Sequence, residues 1–366
     1  MPRFRTTTGP GPLSILDRYI GRTVLAAIAT VLAIVVSVFS FLEFIEELDQ
    51  LGKGRYGIVQ VAEYVLLSVP RLTYDLFPVA ALVGCLAGLG SLVGNGEVTA
   101  MRAAGLSRAR TVGAIMQAGV LLMGVALLLG EFVAPQCEQL AQYRRSIATT
   151  DQITLKSRYG FWARDGQSFI NIRKVLPGNR VEKVSIFELN DRFRLLKTTV
   201  ARSAYYAEGQ WMLEDIRQTV FEKQRVKSIR LKRAKWESLL DPNLVSLVVV
   251  NPNRLSIADL YRYVTFLDNN GQNSLRYRQA LWLKLAFPLA TGAMVFLGIP
   301  IVLSARRGTS TGQRIFIGSC VGLVFHITNK TTGALGLVYD LHPALSALFP
   351  TVLTLLGGAI LMRRVY

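Results

Sequence analysis

Apolar positions in this chain are not interleaved with polar ones at short period but gathered into long blocks. Six stretches of about 18 or more mostly apolar residues stand out. They run approximately Ile20–Leu42, Tyr64–Val93, Thr111–Val133, Ala280–Leu303, Arg314–Thr332 and Ala344–Met362. A helix rising about 1.5 Å per residue crosses a hydrocarbon core of about 30 Å with roughly 20 residues, so each block predicts one membrane crossing. The first block is too long for a signal-peptide core, and FLEFIEELD follows it where a small-residue cleavage site would stand. It is expected to remain as an anchor.

Between Ala134 and Leu275 the pattern switches to short runs of period two separated by turn residues. QITLKSRYGFWAR breaks at Asp165-Gly166 and resumes as QSFINIRKVL. Pro177-Gly178-Asn179, Asn190-Asp191 and Glu208-Gly209 divide the runs that follow, and RVKSIRLKRAKWES closes the series. This spacing predicts an antiparallel sandwich or jelly roll. Ser256 then caps a helix over LSIADLYRYVTFL, with Asp259 three residues on, and Asn269-Asn270-Gly271 ends it. The expected organisation is 1–133 for spans 1–3, 134–275 for the β domain with its helix at about 256–268, and 276–366 for spans 4–6.

Composition sharpens this picture. The chain has 366 residues, of which 51% are hydrophobic and 18% charged, yet its net charge is +18. Few charges with a large positive excess fit a membrane protein whose basic residues flank its spans. That balance excludes a disordered chain and a plain nucleic-acid binder. With the N-terminus inside, the inner segments hold twelve arginines: 3, 5, 18, 22, 102, 108, 110, 306, 307, 314, 363 and 364. The short outer loop holds Lys53 and Arg55. The positive-inside rule therefore places both termini in the cytoplasm and the β domain outside. That domain carries 23 Lys/Arg against 14 Asp/Glu, with aromatics such as Trp162, Tyr205 and Trp236 among them. Two readings stand: a cleft for an anionic amphiphile, or a solvated basic face.

Catalytic and metal motifs are absent from the sequence. Cys85, Cys137 and Cys320 show no CxxC spacing and read as small buried apolar residues. His326 and His342 lack second ligands at metal spacing, and HExxH, GKS/GKT and GxSxG do not occur. The glycines of GLGSLVG, from Gly88 to Gly94, read as packing positions between membrane helices. Arg71 and Asp75, four apart, are expected to neutralise each other. Glu131 falls close to the outer end of the third span. Lys284 and Lys330 lie at outer ends of spans, with Arg276 and Arg278 just beyond Lys284; they are either snorkelling anchors or a rim of cations for lipid headgroups.

The inner loop NGEVTAMRAAGLSRAR predicts a short helix, at about 95–106, with Glu97 in its first turn. An acid there suits the helix dipole, and the segment is either an ordinary capped loop or a docking element for a cytoplasmic partner.

Taken together, ILDRYIGRT, NGEVTAMRAAGLS, GEFVAPQCEQLAQYRR, GFWARDGQSFINI, LSIADLYRYVTFLDNNGQ and RYRQALWLKLAFPL resemble the LptF/LptG lipopolysaccharide export permeases, and the LptG branch more closely. The resemblance covers nearly the whole chain. It implies an α-helical integral membrane protein with six transmembrane helices and an all-β periplasmic jelly-roll domain inserted between helices 3 and 4. It implies a non-catalytic permease subunit of an ABC transporter in the bacterial inner membrane, extracting lipopolysaccharide from the outer leaflet. Its implied partners are an LptF-like permease, an LptB-like ATPase dimer that uses ATP and Mg²⁺, and an LptC-like protein; no cofactor is implied for this chain. Glu97, with Met101 and Arg102, falls on the family's ATPase-coupling helix. Arg145, with adjacent Arg144, falls on its basic site beyond the third span. Lys284, Arg278, Lys53 and Arg55 join these as expected headgroup contacts.

One departure stands at the outer end of the first span. Glu43, Asp49 and Gln50 occupy positions where some relatives carry lysine. Lys53 and Arg55 are the nearby cations able to substitute, and a divalent cation bridging Glu43 to a phosphate is a second possibility. Two other classes compete with a transport subunit. One is a membrane-anchored sensor or assembly protein with a lipid-binding periplasmic domain; the other is a membrane enzyme acting on a lipid-linked sugar. The short inner segments weigh against a sensor's output domain, and the sparse acids Glu63, Asp75 and Glu131 weigh against the enzyme.

Overall fold

A computed structural model describes residues 15–149, 161–165, 167–176, 180–190, 194–207, 210–221, 225–236, 252, 255–304 and 310–365. The proposed turns at Asp165-Gly166, Pro177-Gly178-Asn179, Asn190-Asp191 and Glu208-Gly209 fall wholly or partly outside these residues. So do QITLKSRY, Arg3, Arg5, Arg306 and Arg307. The chain divides into two compact units. One comprises 1–41, 70–130 and 282–366, the other 42–69 and 131–281.

The first helices are α1 (Ile15–Leu48), α2 (Ile58–Gly94), α3 (Glu97–Ala103) and α4 (Arg108–Leu128). A π-turn over Leu129–Val133 leads into α5 (Ala134–Thr149). After the strands come α6 (Ile257–Asn269), α7 (Leu275–Ser304), α8 (Thr311–Val338) and α9 (Pro343–Val365).

The first unit is a helical bundle. Its core gathers Ile20, Val24 and Ile28 of α1, Leu82, Leu86 and Leu89 of α2, Ile115 of α4 and Met294 of α7. Two glycines decide how closely α1 and α2 approach. A Cβ on Gly84 would lie 2.4 Å from the Ile28 Cα, and one on Gly88 would lie 2.9 Å from the Ala27 Cβ. Apolar residues on the other side of α1, among them Ile34, Val38 and Phe41, are exposed. This two-sided apolarity is what a helix facing lipid on one side and protein on the other requires.

Five described helical segments are long and apolar enough to cross a membrane: Ile15–Leu48, Ile58–Gly94, Arg108–Arg145, Leu275–Ser304 and Pro343–Arg364. The block expected at Arg314–Thr332 forms the helix α8, but it does not reach that apolarity. Its polar groups explain the shortfall. Arg314, His326, Asn329 and Lys330 are spread along it. Among the described helices, five therefore reach that apolarity and α8 does not.

The second unit contains the β domain. Strands β1 (Phe161–Asp165), β2 (Ser168–Leu176), β3 (Arg180–Leu189), β4 (Leu195–Ala207), β5 (Gln210–Phe221) and β6 (Val226–Trp236) form one antiparallel sheet in chain order. The pair Asp165↔Ser168 closes β1 onto β2, and Leu176↔Arg180 closes β2 onto β3. One face buries Ile170, Ile172, Val184, Ile186, Ala204 and Trp211, with Phe266 of α6 packed against it. A jelly roll requires strands that cross between sheets. Among the described strands each pairs only with its sequence neighbours, so the described sheet is a meander.

Helix α6 is fixed at both ends. The Ser256 Oγ accepts from the Asp259 N–H at 3.0 Å and donates to the Asp259 carboxylate at 2.8 Å. At the far end Gly271 adopts φ 61. Its N–H donates to the Asp268 carbonyl, and the Gln272 N–H to that of Leu267. This left-handed ending satisfies the last carbonyls and is natural for glycine.

Candidate functional site

The loop between α2 and α4 is tightly held. Helix α3 starts after Gly96, at φ 76, and closes at Ala103, with Gly105 beyond its C-cap at φ 94. The Gly105 and Leu106 N–H groups donate to the Arg102 and Met101 carbonyls at 2.9 and 3.0 Å. Glu97 occupies the first turn, and its carboxylate accepts from the Tyr19 hydroxyl of α1 at 2.8 Å. Close by, Arg110 of α4 donates to Asp17 of α1, with an N–O distance of 3.2 Å. Val98 is buried, and Met101 packs on the bundle core. The Nε and Nη2 atoms of Arg102 are buried without a hydrogen-bond partner. Glu97, Met101 and Arg102 thus share one short helix that is braced against α1 and the bundle.

In the second unit Arg144 and Arg145 lie on α5, which the 50–57 loop meets through the Arg55 N–H. That group donates to the Ala148 carbonyl at 2.8 Å. Arg145 is not a free cation. Its Nε lies 2.7 Å from Glu47 of α1, and its guanidinium sits over the Tyr64 ring at 5.0 Å. Glu47 is buried and also accepts from the Tyr56 hydroxyl at 2.9 Å. Burial, reinforced by that bond to Glu47, pushes the Tyr56 phenol well above its ordinary range. Arg144 is exposed and paired with Glu63. A small cleft of about 130 Å³ lies among Tyr56, Gln60, Glu63, Tyr64, Arg144 and Arg145. Lys53 donates to Gln50 at 2.7 Å.

Arg278 and Lys284 have other partners. Arg278 donates to Asp268 at 2.7 Å, and the Ser274 hydroxyl donates to the same carboxyl at 2.6 Å. The Ser274 bond first, and Arg278 second, hold the Asp268 carboxyl below the usual range. Lys284 was expected at the rim, but it is 9% exposed. It donates to the Gly130 carbonyl at 3.3 Å, at the π-turn, and lies 5.9 Å from the centre of the Tyr74 ring. A π-turn loosens the ordinary carbonyl ladder, and a buried ammonium is well suited to satisfy one of its carbonyls.

Three structural partners escaped the sequence reading. Glu47 looked like one acid among several in FLEFIEELD; only helical spacing from Phe44 and Glu43 hints that it turns inward. Glu131 proves to cap α6, accepting from the Ile257 and Ala258 N–H groups at 2.7 and 3.1 Å. Arg314, counted as a topology residue, is 5% exposed and donates to the Gly90 carbonyl at 2.7 Å. Gly90 makes room for it, since a Cβ there would lie 2.9 Å from the guanidinium. The Arg71–Asp75 pair is present at 3.8 Å. Of the cysteines, Cys85 is buried as expected, whereas Cys320 is exposed on α8 and Cys137 is half-buried.

Comparison with known proteins places this geometry in context. The family described as "Lipopolysaccharide export system permease LptF/LptG" matches residues 18–364. The lipopolysaccharide export system permease protein LptG of Haemophilus influenzae is 31% identical over 343 residues, covering 93% of this chain and 96% of that protein. LptG of Escherichia coli K12 is 31% identical over 343 residues, covering 93% and 95%. With the match running through the bundle, α3 and the sheet alike, the chain belongs to the LptF/LptG family of lipopolysaccharide export permeases.

Proposed function

We propose that the chain is the non-catalytic membrane subunit of an ABC exporter in the bacterial inner membrane. It takes lipopolysaccharide from the outer leaflet and passes it along its β domain towards the outer membrane. On this reading α8 is the sixth span, both termini are cytoplasmic, the sheet belongs to a periplasmic jelly roll, and an LptF-like subunit completes the cavity. An LptC-like protein receives the lipid, and an LptB-like ATPase dimer supplies the energy from ATP and Mg²⁺.

The observation that carries the reading is α3. A seven-residue helix closed by backbone bonds at its C-terminal end and tied to α1 through Tyr19–Glu97 transmits displacement rather than absorbing it. Glu97, Met101 and Arg102 form the ATPase-coupling surface. Arg145, Arg144, Lys53, Arg55 and Arg278 are the cations available to headgroups, whereas buried Lys284 serves the Gly130 carbonyl; those already paired must exchange protein carboxylates for lipid phosphates. Such an exchange keeps the cation paired in both states, while a buried partner such as Glu47 is left with the Tyr56 hydroxyl.

Co-purification with a cytoplasmic ATPase, followed by identification of the bound lipid, tests the assignment. Glu97→Lys tests its mechanism. It should preserve assembly while separating ATP hydrolysis from lipid release in proteoliposomes, and normal coupled transport by the variant would refute the role of α3.

A further inference from the structure

The exposed face of the sheet carries a feature that the export reading does not use. On β2, β3, β4 and β5, Arg173, Lys183, Arg202 and Asp215 stand opposite one another in successive pairs. Each pair is bracketed by regular pairings, such as Ile172↔Val184 with Lys174↔Glu182, and Ala201↔Ile216 with Ser203↔Glu214. The ladder skips all three bracketed pairs. It skips Asp215 opposite Lys232 of β6 in the same way. Along this line Lys183 and Asp215 have φ 56 and 51, in the left-handed region. Non-glycine residues held there are costly, and such strain concentrates at functional sites.

The line forms one wall of a cleft of about 570 Å³. Arg217 and Arg230, a directly opposed pair, line it from β5 and β6. Ser185, Val200, Ala201 and Ile216 complete the lining. Five cations therefore converge from five adjacent strands, and Asp215 is the acid among the described lining residues. Mutual repulsion of so many cations is unfavourable without an anion between them. Four are arginines, whose planar fork matches phosphate oxygens. The cleft is far roomier than a bare phosphate requires, and it falls within the size range of small-molecule sites. Its apolar lining and the Asp215 carboxylate suit the ring and hydroxyls of a sugar.

The geometry points to a binding site for a phosphorylated sugar on this outer face. The phosphate sits among Arg202, Arg217, Arg230 and Lys183, and a hydroxyl donates to Asp215. The sugar is either free or part of a lipid headgroup; in the second case the site deepens the export reading and rests on it.

The test uses the full chain in nanodiscs of uncharged lipid at physiological salt. Calorimetry compares glucose 1-phosphate, glucose, inorganic phosphate and polyglutamate. Glucose 1-phosphate should bind best. Lys183→Asn and Asp215→Asn are the informative variants, because asparagine tolerates positive φ. Lys183→Asn and Arg202→Gln should each weaken glucose 1-phosphate about tenfold. Asp215→Asn should strengthen inorganic phosphate while erasing the preference for the sugar phosphate. Circular dichroism should be unchanged in all three variants. Affinities that follow ligand charge alone, tightest binding by polyglutamate, or indifference to all three substitutions would overturn the proposal. Competition by lipopolysaccharide vesicles for the bound glucose 1-phosphate assigns the sugar to a headgroup, and sugar-phosphate binding without competition assigns it to a free ligand. Lipid transport measured in parallel reports on the export reading separately.

Discussion

Replacing Arg145 by glutamine removes the cation that faces Glu47. Glu47 is buried and keeps only the Tyr56 hydroxyl from this pair of contacts, at 2.9 Å. Breaking a buried ion pair from one side costs about 3–5 kcal/mol, because the remaining charge is desolvated and uncompensated. The Arg145 side chain is 29% exposed, so water relieves part of this and about 3 kcal/mol is the reasonable figure. At about 1.4 kcal/mol per factor of ten, that is roughly a hundredfold in the local opening equilibrium. The readout is hydrogen exchange at the Arg55 N–H, which donates to Ala148 on the same turn region of α5. It should exchange about a hundredfold faster in Arg145→Gln. Adding Glu47→Gln removes the stranded charge, so the double variant should exchange more slowly than Arg145→Gln alone. A double variant that exchanges as fast as, or faster than, the single one refutes the idea that a buried pair clamps this corner.

Gly84→Val should sharply reduce the yield of folded protein, because the first added carbon already falls on the Ile28 backbone; overpacking of this kind costs about 1–3 kcal/mol or more. Thermal unfolding in detergent and the recovery of monodisperse protein check it. Lys284→Met keeps the length of the side chain but leaves the Gly130 carbonyl without its donor, so stability should drop by about 1–3 kcal/mol; unchanged thermal stability would show that the bond contributes nothing. The Asp268 carboxyl titrates below its unfolded value, so its contribution is present above about pH 4 and fades as pH falls through the folded value. Acid loosening of the α6–α7 junction should be visible by exchange in the wild type, and the corresponding step should be missing in Asp268→Asn.

Local signals along the chain decide most of its secondary structure. The apolar blocks became helices, because length and apolarity alone decide whether a segment hides its backbone in lipid. The period-two runs became β1–β6, and Ser256 capped α6, since alternation and capping act over a few residues. Two finer expectations reach beyond what local signals decide. α8 has the length of a span but carries Arg314, His326, Asn329 and Lys330, which lower its apolarity below that of the other five long helices. The jelly-roll expectation went beyond pairing: alternation specifies strands, whereas crossovers depend on which strand finds which partner.

The sequence by itself determined where the apolar helices and strands lie, that Glu97 opens a short helix, and that basic charge is concentrated in the segment carrying the sheet. Each is a property of neighbours along the chain. Only the tertiary structure decided what the cations do. Arg145 meets Glu47 and Tyr64, Lys284 meets the Gly130 carbonyl, Arg314 enters the space left by Gly90, and Arg202, Arg217 and Arg230 converge across three strands. Partners so far apart in sequence leave no local trace. A charge seen in one dimension is therefore known only by its sign, and its burial and pairing follow from packing.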